Sequence, residues 1–386
     1  MVRTDRARRA RRKGLPLLVL LTVALAGCAQ DAPLDTMEPS GPAARTIDGL
    51  FNLVMGIGGV VFVLIFGALL VIMVKFRASD DDDEFPNQTH GNTALEIVWT
   101  IFPSAVLAGL AVFTVATIFD LEERDPDAIP VTIIGQQWWW EYQYDVDGDG
   151  SPDIITANDL VMPAGRQLDL TIQSRDVIHS WWIPKLNGKR DAVPGRSHTW
   201  SIEADDPGIF LGQCTEFCGL SHARMQMRAV ALSQEDWETW LDNQLQQAEH
   251  PSDPSAQSGK DTFSELCASC HVINDPDFAD LYPSDFRAAQ VSGAAPNLTH
   301  FATRGVYAGA VFDLYFDEVT ADNYLEIANS LERDRGQLEA WLRNPPAEKE
   351  MFPDASRGTE LGRGMPNLNL TNEQVDDLLA YLATLD

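Results

Sequence analysis

The residues best suited to chemistry lie in the run Cys214-Thr-Glu216-Phe-Cys218-Gly-Leu-Ser-His222-Ala-Arg-Met225. Two thiols four apart, a histidine four further on and a methionine three beyond that form a soft sulfur and nitrogen ligand set. Thiolate, thioether and imidazole in combination favour copper. A second histidine, His179 in Val-Ile-His179-Ser-Trp-Trp, stands upstream and would complete a cluster of two metals and two thiolates. No general base accompanies these groups, so they suit electron transfer rather than hydrolysis. Structural zinc is an alternative for the two cysteines and a histidine, but it leaves Met225 unexplained. A Cys214–Cys218 disulfide is another, in an exported chain.

A second motif follows in Cys267-Ala-Ser-Cys270-His271. CxxCH is the attachment pattern of a covalent c-type haem, with two thiols for the vinyl groups and a histidine for the iron. The sixth iron ligand is sought among His300, Met351 and Met365. Met365 is preferred, because it lies between a Gly-rich loop and a last helix. Thr371 and Gln374 have the spacing of a capping box for that helix. Val375, Leu378, Leu379 and Leu382 form its apolar stripe.

With these motifs the chain resembles cytochrome c oxidase subunit II with a fused C-terminal cytochrome c domain, the caa3-type haem–copper oxidase. The resemblance implies a membrane-anchored multidomain fold. A two-helix transmembrane hairpin would carry a cupredoxin-like Greek-key β-sandwich over 130–232 and an all-α class I cytochrome c domain over 260–386. It implies that Cys214 and Cys218 bridge the two coppers of a Cu-A centre. His179 and His222 would each ligate one copper, Met225 would be axial, and Glu216 would lend its carbonyl. The Glu216 carboxylate would also reach a magnesium or manganese ion shared with subunit I. Trp138 matches the family residue where electrons arrive, although Gln136 replaces the histidine many members carry two positions before it. Glu96, before Trp99-Thr-Ile-Phe, matches the glutamate at the entrance of the K proton channel. Asp191 and Arg196 match residues near the haems of subunit I. In the haem domain, Pro296 would accept a hydrogen bond from His271.

The implied partners are oxidase subunits I and III, the lipid bilayer, and cytochrome c or a quinol:cytochrome c reductase as donor. Oxygen would be reduced on subunit I, whose haem–copper ligands this chain lacks. Two other readings use the same motifs. A membrane-tethered copper and haem carrier working without an oxidase would not need Glu96, Asp191, Arg196 and Glu216 in family context. A nitrous-oxide reductase-like enzyme would need a histidine-rich catalytic domain, whereas this chain has seven histidines in total.

The elements that must position these residues can be read along the chain. Residues 1–28 form a basic, then apolar, leader ending in Leu25-Ala-Gly-Cys28, a lipoprotein-type signal with Cys28 in the lipobox. The uncharged runs 50–74 and 97–119 are long enough to cross a bilayer. Pro103 in the second is tolerable in a packed span. Lys75 and Arg77 favour a cytoplasmic loop between them, which places both metal domains on the outer face of a bacterial cell membrane.

From Pro130 to Leu232, short β-type runs such as Val131–Ile134, Leu168–Ile172 and His198–Ile202 alternate with turn residues. Asp145-Val-Asp147-Gly-Asp149 opens like a calcium loop, yet position twelve is Thr156, so an exposed hairpin loop is the competing reading. An amphipathic helix is expected over 233–249, with Trp237, Trp240, Leu241 and Leu245 on one side, then a linker over 250–259. All five cysteines are assigned by these readings. The net charge of −29 disfavours nucleic acid and favours a basic partner.

Overall fold

The computed structural model describes residues 32–77, 88, 90–281, 295–351 and 364–386. The leader with Cys28 therefore lies outside the described residues. Residues 32–35 make a turn in which the Asp35 N–H donates to the Ala32 carbonyl. From Thr36 onward the described residues group as one unit.

Helices α1 (Pro42–Lys75) and α2 (Thr93–Glu122) contain the two apolar runs and extend beyond them at both ends. Proline at the first turn starts α1, where its missing N–H costs nothing. Asn92 caps α2 by accepting the Leu95 N–H at 3.2 Å. The central windows of both helices bury nothing within the chain. Their exposed Val, Leu, Ile and Phe side chains need lipid or partner helices around them. The N-terminal end of α1 is tied down: Arg45 pairs with Asp205, and the Ser40 N–H donates to the Lys185 carbonyl at 2.8 Å.

Two sheets follow. In the first, β1 (Ile129–Gln136) lies between β2 (Trp139–Tyr144) and β5 (Leu168–Ser174), flanked by β3 (Ile154–Ala157) and β8 (His198–Ile202). The second places β10 (Gln226–Leu232) between β4 (Asp159–Pro163) and β9 (Gly208–Gln213). A short ribbon pairs β6 (His179–Trp181) with β7 (Arg190–Ala192). Both main sheets are mixed, because β1 runs parallel to β5 and β4 parallel to β10. Alternation drives the layering: Leu168, Leu170 and Ile172 are fully buried while Asp169 and Thr171 are partly exposed. Trp140, Tyr142, Tyr144, Trp181 and Met162 fill the core of this cupredoxin-like domain. The Asp145–Asp153 segment is the β2–β3 hairpin loop. Its carboxylates are engaged by the loop's own N–H groups, as where Asp153 accepts from Val146 at 2.8 Å, and Thr156 is buried in β3.

Helix α3 (Gln234–Gln244) is capped by Ser233; its Trp237 and Trp240 rings stack on each other at 5.1 Å and meet Tyr144 at 6.0 and 5.4 Å. It ends earlier than the amphipathic pattern suggests, so Leu245 leaves the apolar face and is 47% exposed. Helix α4 (Pro254–Leu266) begins inside the expected linker. Asp253 caps it by accepting the Ala256 N–H at 3.1 Å, and Pro254 takes the first position. The Pro- and Ser-rich composition at 250–259 thus encodes a helix start.

Helix α4 packs on the last helix, α8 (Asn372–Leu382), so closely that a Cβ on Gly259 would lie 2.0 Å from the Asp377 carbonyl oxygen. The Thr371–Gln374 capping box is formed, and Val375, Leu378, Leu379 and Leu382 are all buried. Between α4 and α8 come β11 (Val306–Tyr307) with β12 (Phe312–Asp313), and the short helices α5 (Ile327–Ser330), α6 (Arg335–Arg343) and α7 (Pro345–Glu348). The C-terminal part therefore departs from the separate all-α domain expected over 260–386. It carries a two-stranded ribbon and shares one contiguous hydrophobic core with the sheets.

Candidate metal centre

The connection between β9 and β10 supplies most of the candidate ligands. Strand β9 delivers Cys214, whose N–H donates to the Met225 carbonyl at 2.9 Å and closes the loop on itself. A 3-10 turn at His222–Arg224 leads back into β10. His179 arrives from another direction, at the start of β6, and the Thr215 N–H ties the two segments by donating to the Ser180 carbonyl at 3.0 Å. Gly219 has φ +112°, and a Cβ there would lie 2.9 Å from the Gln137 amide nitrogen. Only glycine meets both demands without strain.

The five expected side chains converge. Cys214 Sγ lies 3.8 Å from Cys218 Sγ and 4.0 Å from His179 Nδ1. Cys218 Sγ lies 3.5 Å from His222 Nδ1 and 3.8 Å from Met225 Sδ. The Glu216 carbonyl is 3.4 Å from Cys214 Sγ, while the Glu216 side chain faces solvent. Metal–nitrogen and metal–sulfur bonds of roughly 2.0–2.3 Å fit between donor atoms at such spacings. A sulfur–sulfur bond is about 2.05 Å long, so the two cysteines are thiols rather than a disulfide. His179, Cys214, Cys218 and Met225 are buried, which keeps water from the sulfurs.

One supporting residue escaped the sequence reading. Asp176 Oδ1 lies 2.8 Å from His179 Nε2. A carboxylate only accepts, so Nε2 carries the proton and the Nδ1 lone pair is turned towards Cys214. Burial opposes charge on His179, but Asp176 and Cys214 together raise its pKa. Asp176 is itself lowered despite burial, through His179 and the N–H groups of Gln137 and Val177. Contact with Cys218 pushes the Cys214 pKa down, and contact with Cys214 raises that of Cys218.

Trp138 lies in the β1–β2 turn, and its indole donates to the Cys218 carbonyl at 3.1 Å. It is 3% exposed, because the C-terminal segment covers it. Asp191 pairs with Ser180 across the β6–β7 ribbon, while Arg196 is exposed beyond it. Glu96 is in the first turn of α2, at the opposite end of that helix from the sheets, about 40 Å away at 1.5 Å per residue.

The residues of the second motif lie in one short segment. Cys267 and Cys270 sit in the turn that ends α4, and His271 follows. His271 Nδ1 donates to the Pro296 carbonyl at 2.8 Å, which leaves the free lone pair on Nε2. Burial lowers the His271 pKa and pushes the Cys267 thiol up to about 11. Met351 lies against the Gly364 backbone, so Met351 and Met365 occupy one neighbourhood. His300 is held by the Asp386 and Gln246 carbonyls at 2.9 and 3.1 Å, which uses both ring nitrogens.

The family model described as "Cytochrome C oxidase subunit II, periplasmic domain" matches residues 129–232, and its transmembrane counterpart matches 30–117. The chain is 32% identical over 377 residues to cytochrome c oxidase subunit 2 of Alkalihalophilus pseudofirmus, covering 95% of each chain. It is 31% identical over 386 residues to the same subunit of Bacillus sp. strain PS3, covering 96% of each. Among solved structures, the periplasmic domain of subunit II of cytochrome oxidase of Bradyrhizobium japonicum aligns with TM-score 0.29 and 27% identity. That alignment covers 31% of this chain and 95% of the solved one. The chain therefore belongs to the cytochrome c oxidase subunit II family and is one subunit of a multi-subunit oxidoreductase.

Proposed function

We propose that this chain is the electron-input subunit of a respiratory haem–copper oxidase of caa3 type. It would pass electrons from a covalent haem c through a binuclear Cu-A centre to the haem of subunit I, where oxygen is reduced to water and protons are translocated. The observation that carries this reading is the buried convergence of His179, Cys214, Cys218, His222 and Met225.

The donor set supports the assignment of roles. Cys214, Cys218, His179, His222, Met225 and the Glu216 carbonyl would together hold the copper pair. Copper bound by such ligands supplies a one-electron carrier that needs little rearrangement. The chain's own part is to hold the donors rigid, keep water from the sulfurs and fix the His179 tautomer through Asp176. The outward Glu216 carboxylate is available to a magnesium or manganese ion shared with subunit I. Val177, Ile178, Leu211, Phe217 and Leu220 are exposed near these loops, Phe217 by 76%. An apolar rim of this kind supports a protein partner at this end of the domain, which we assign to subunit I.

Residues 260–386 are read as the haem c domain. Cys267 and Cys270 would hold the haem covalently, and His271, oriented by Pro296, would bind its iron together with Met365. The long match to the Alkalihalophilus relative, which extends across this region, is compatible with that reading. Both metal-binding parts would lie on the outer face of the cell membrane, with Glu96 at the cytoplasmic mouth of α2. Subunit III and cytochrome c, or a quinol:cytochrome c reductase, complete the proposed partners.

Metal analysis with a pyridine haemochrome assay on the purified full chain tests the cofactor content. Two coppers and one haem that stays attached on denaturation are expected. A single copper, or a haem that dissociates, would refute the assignment.

A further inference from the structure

Three consecutive residues of the C-terminal part lie across the candidate copper loop. The Glu350 carbonyl accepts from Ser221 Oγ, and the Glu348 carbonyl accepts from Arg224 at 2.6 Å. Between them, Lys349 is 2% exposed. Its Nζ donates to the Trp138 carbonyl at 2.8 Å and to the Ala308 carbonyl at 2.7 Å. Next to Ala308, the Gly309 carbonyl accepts the Gln226 N–H at 2.9 Å.

An ammonium taken out of water is costly unless it is paired. Among the described residues, no carboxylate forms an ion pair with Lys349. Arg224 is a nearby cation, which adds to the cost. A residue that served only to join the two parts could be apolar. The polar contacts lead towards the copper cluster: Lys349 holds the Trp138 carbonyl, and the Trp138 indole holds the Cys218 carbonyl at 3.1 Å. Gln137 Nε2 donates to that same Cys218 carbonyl at 2.8 Å.

We propose that Lys349 is a positioning residue for electron transfer: it clamps Trp138 of the cupredoxin-like domain to Ala308 of the C-terminal part and lends positive charge to the Cys218 side of the cluster. This rests on the copper reading given above. A positive charge next to the cluster favours its reduced form, because reduction adds an electron. Burial, with Arg224 adding to it, lowers the ammonium pKa to about 7, against an opposing effect from Cys218. At pH 6 the charge is therefore present.

The test uses the metal-loaded full chain in detergent at pH 6, with Lys349→Gln and Lys349→Met beside the native protein. Copper content is read first; if the native chain holds no copper pair, the copper reading fails and not the role of Lys349. With two coppers and an unchanged near-infrared band, both variants should shift the one-electron reduction equilibrium at least threefold towards the oxidised form. Lys349→Met should also speed amide exchange at Gln226 by tenfold or more, while Lys349→Gln, which keeps a donor, should not. An unshifted equilibrium in both variants overturns the proposal. Should the variants not fold, lysine labelling of the native chain decides. Lys349 should react only after unfolding, and labelling as fast as exposed Lys189 overturns the clamp.

Discussion

Asp176 Oδ1 accepts the Nε2 proton of His179 at 2.8 Å, three residues before the histidine that completes the candidate copper site. The contact selects the tautomer whose Nδ1 faces Cys214. Carboxylates placed behind ligating histidines typically support metal affinity by 10–100-fold. Asp176→Ala should therefore weaken copper binding by roughly that factor, with the copper spectrum kept at saturating metal. Competition with a chelator measures it, and an unchanged affinity would mean that the pair is only structural.

Glu141 gives a stability prediction with a definite sign. Its carboxyl is fully buried between Gln136, Gln143 and Arg175. Burial raises its pKa to about 7, only partly offset by Arg175 and the two glutamines. A folded-state pKa above the unfolded one means stability that is fully present below pH 4.5 and lost as pH rises through about 7. The loss is on the order of 3 kcal/mol at most. Glu141→Gln should remove this dependence. Thermal unfolding at pH 5 and pH 8 should show the native chain losing stability relative to the variant, and parallel curves would contradict the assignment.

Local patterns were legible in the sequence because their partners lie close along the chain. Cys214 to Met225 form one loop, the Thr371–Gln374 capping box spans a single turn, and Leu168, Leu170 and Ile172 alternate as a strand must. The linker reading at 250–259 failed because composition outweighed the Asp253-Pro254 start signal. Contacts between distant segments left no spacing to read. Lys349 reaches Trp138 across 211 positions, and Arg228 meets Asp159 across 69. Neither pair is visible until parallel pairing of β4 with β10 and docking of the C-terminal part bring them together.

The two methionines that share one neighbourhood can be separated by spectroscopy. In the proposed haem c site, Met365→Ala should remove the weak methionine-to-iron band at the red end of the visible spectrum and lower the haem potential, since the axial ligand is a main control of potential. Met351→Ala should leave both unchanged. The opposite pattern would transfer the ligand role to Met351, whose side chain packs on Gly364.

Electron delivery should show two different responses to salt. The chain carries a net charge of −29, so a basic soluble donor is drawn to it by charge. That attraction weakens as added salt shortens the Debye length, about 10 Å at 0.1 M. The join between the C-terminal part and the sheets is of another kind. Asp159 accepts from Arg228 at 2.8 Å twice, from Tyr324 Oη at 3.1 Å and from the Gly305 N–H at 3.1 Å. Asp159, Arg228 and Tyr324 are all buried, so mobile ions cannot screen the contact. Reduction of the complex by a basic donor should thus slow steeply with ionic strength. Transfer within the chain, started by a small neutral reductant, should change little. Flash-induced kinetics at several salt concentrations separates the two steps. An equally steep loss in both would mean that the C-terminal part is held by screened surface charges and not by the buried Asp159 cluster.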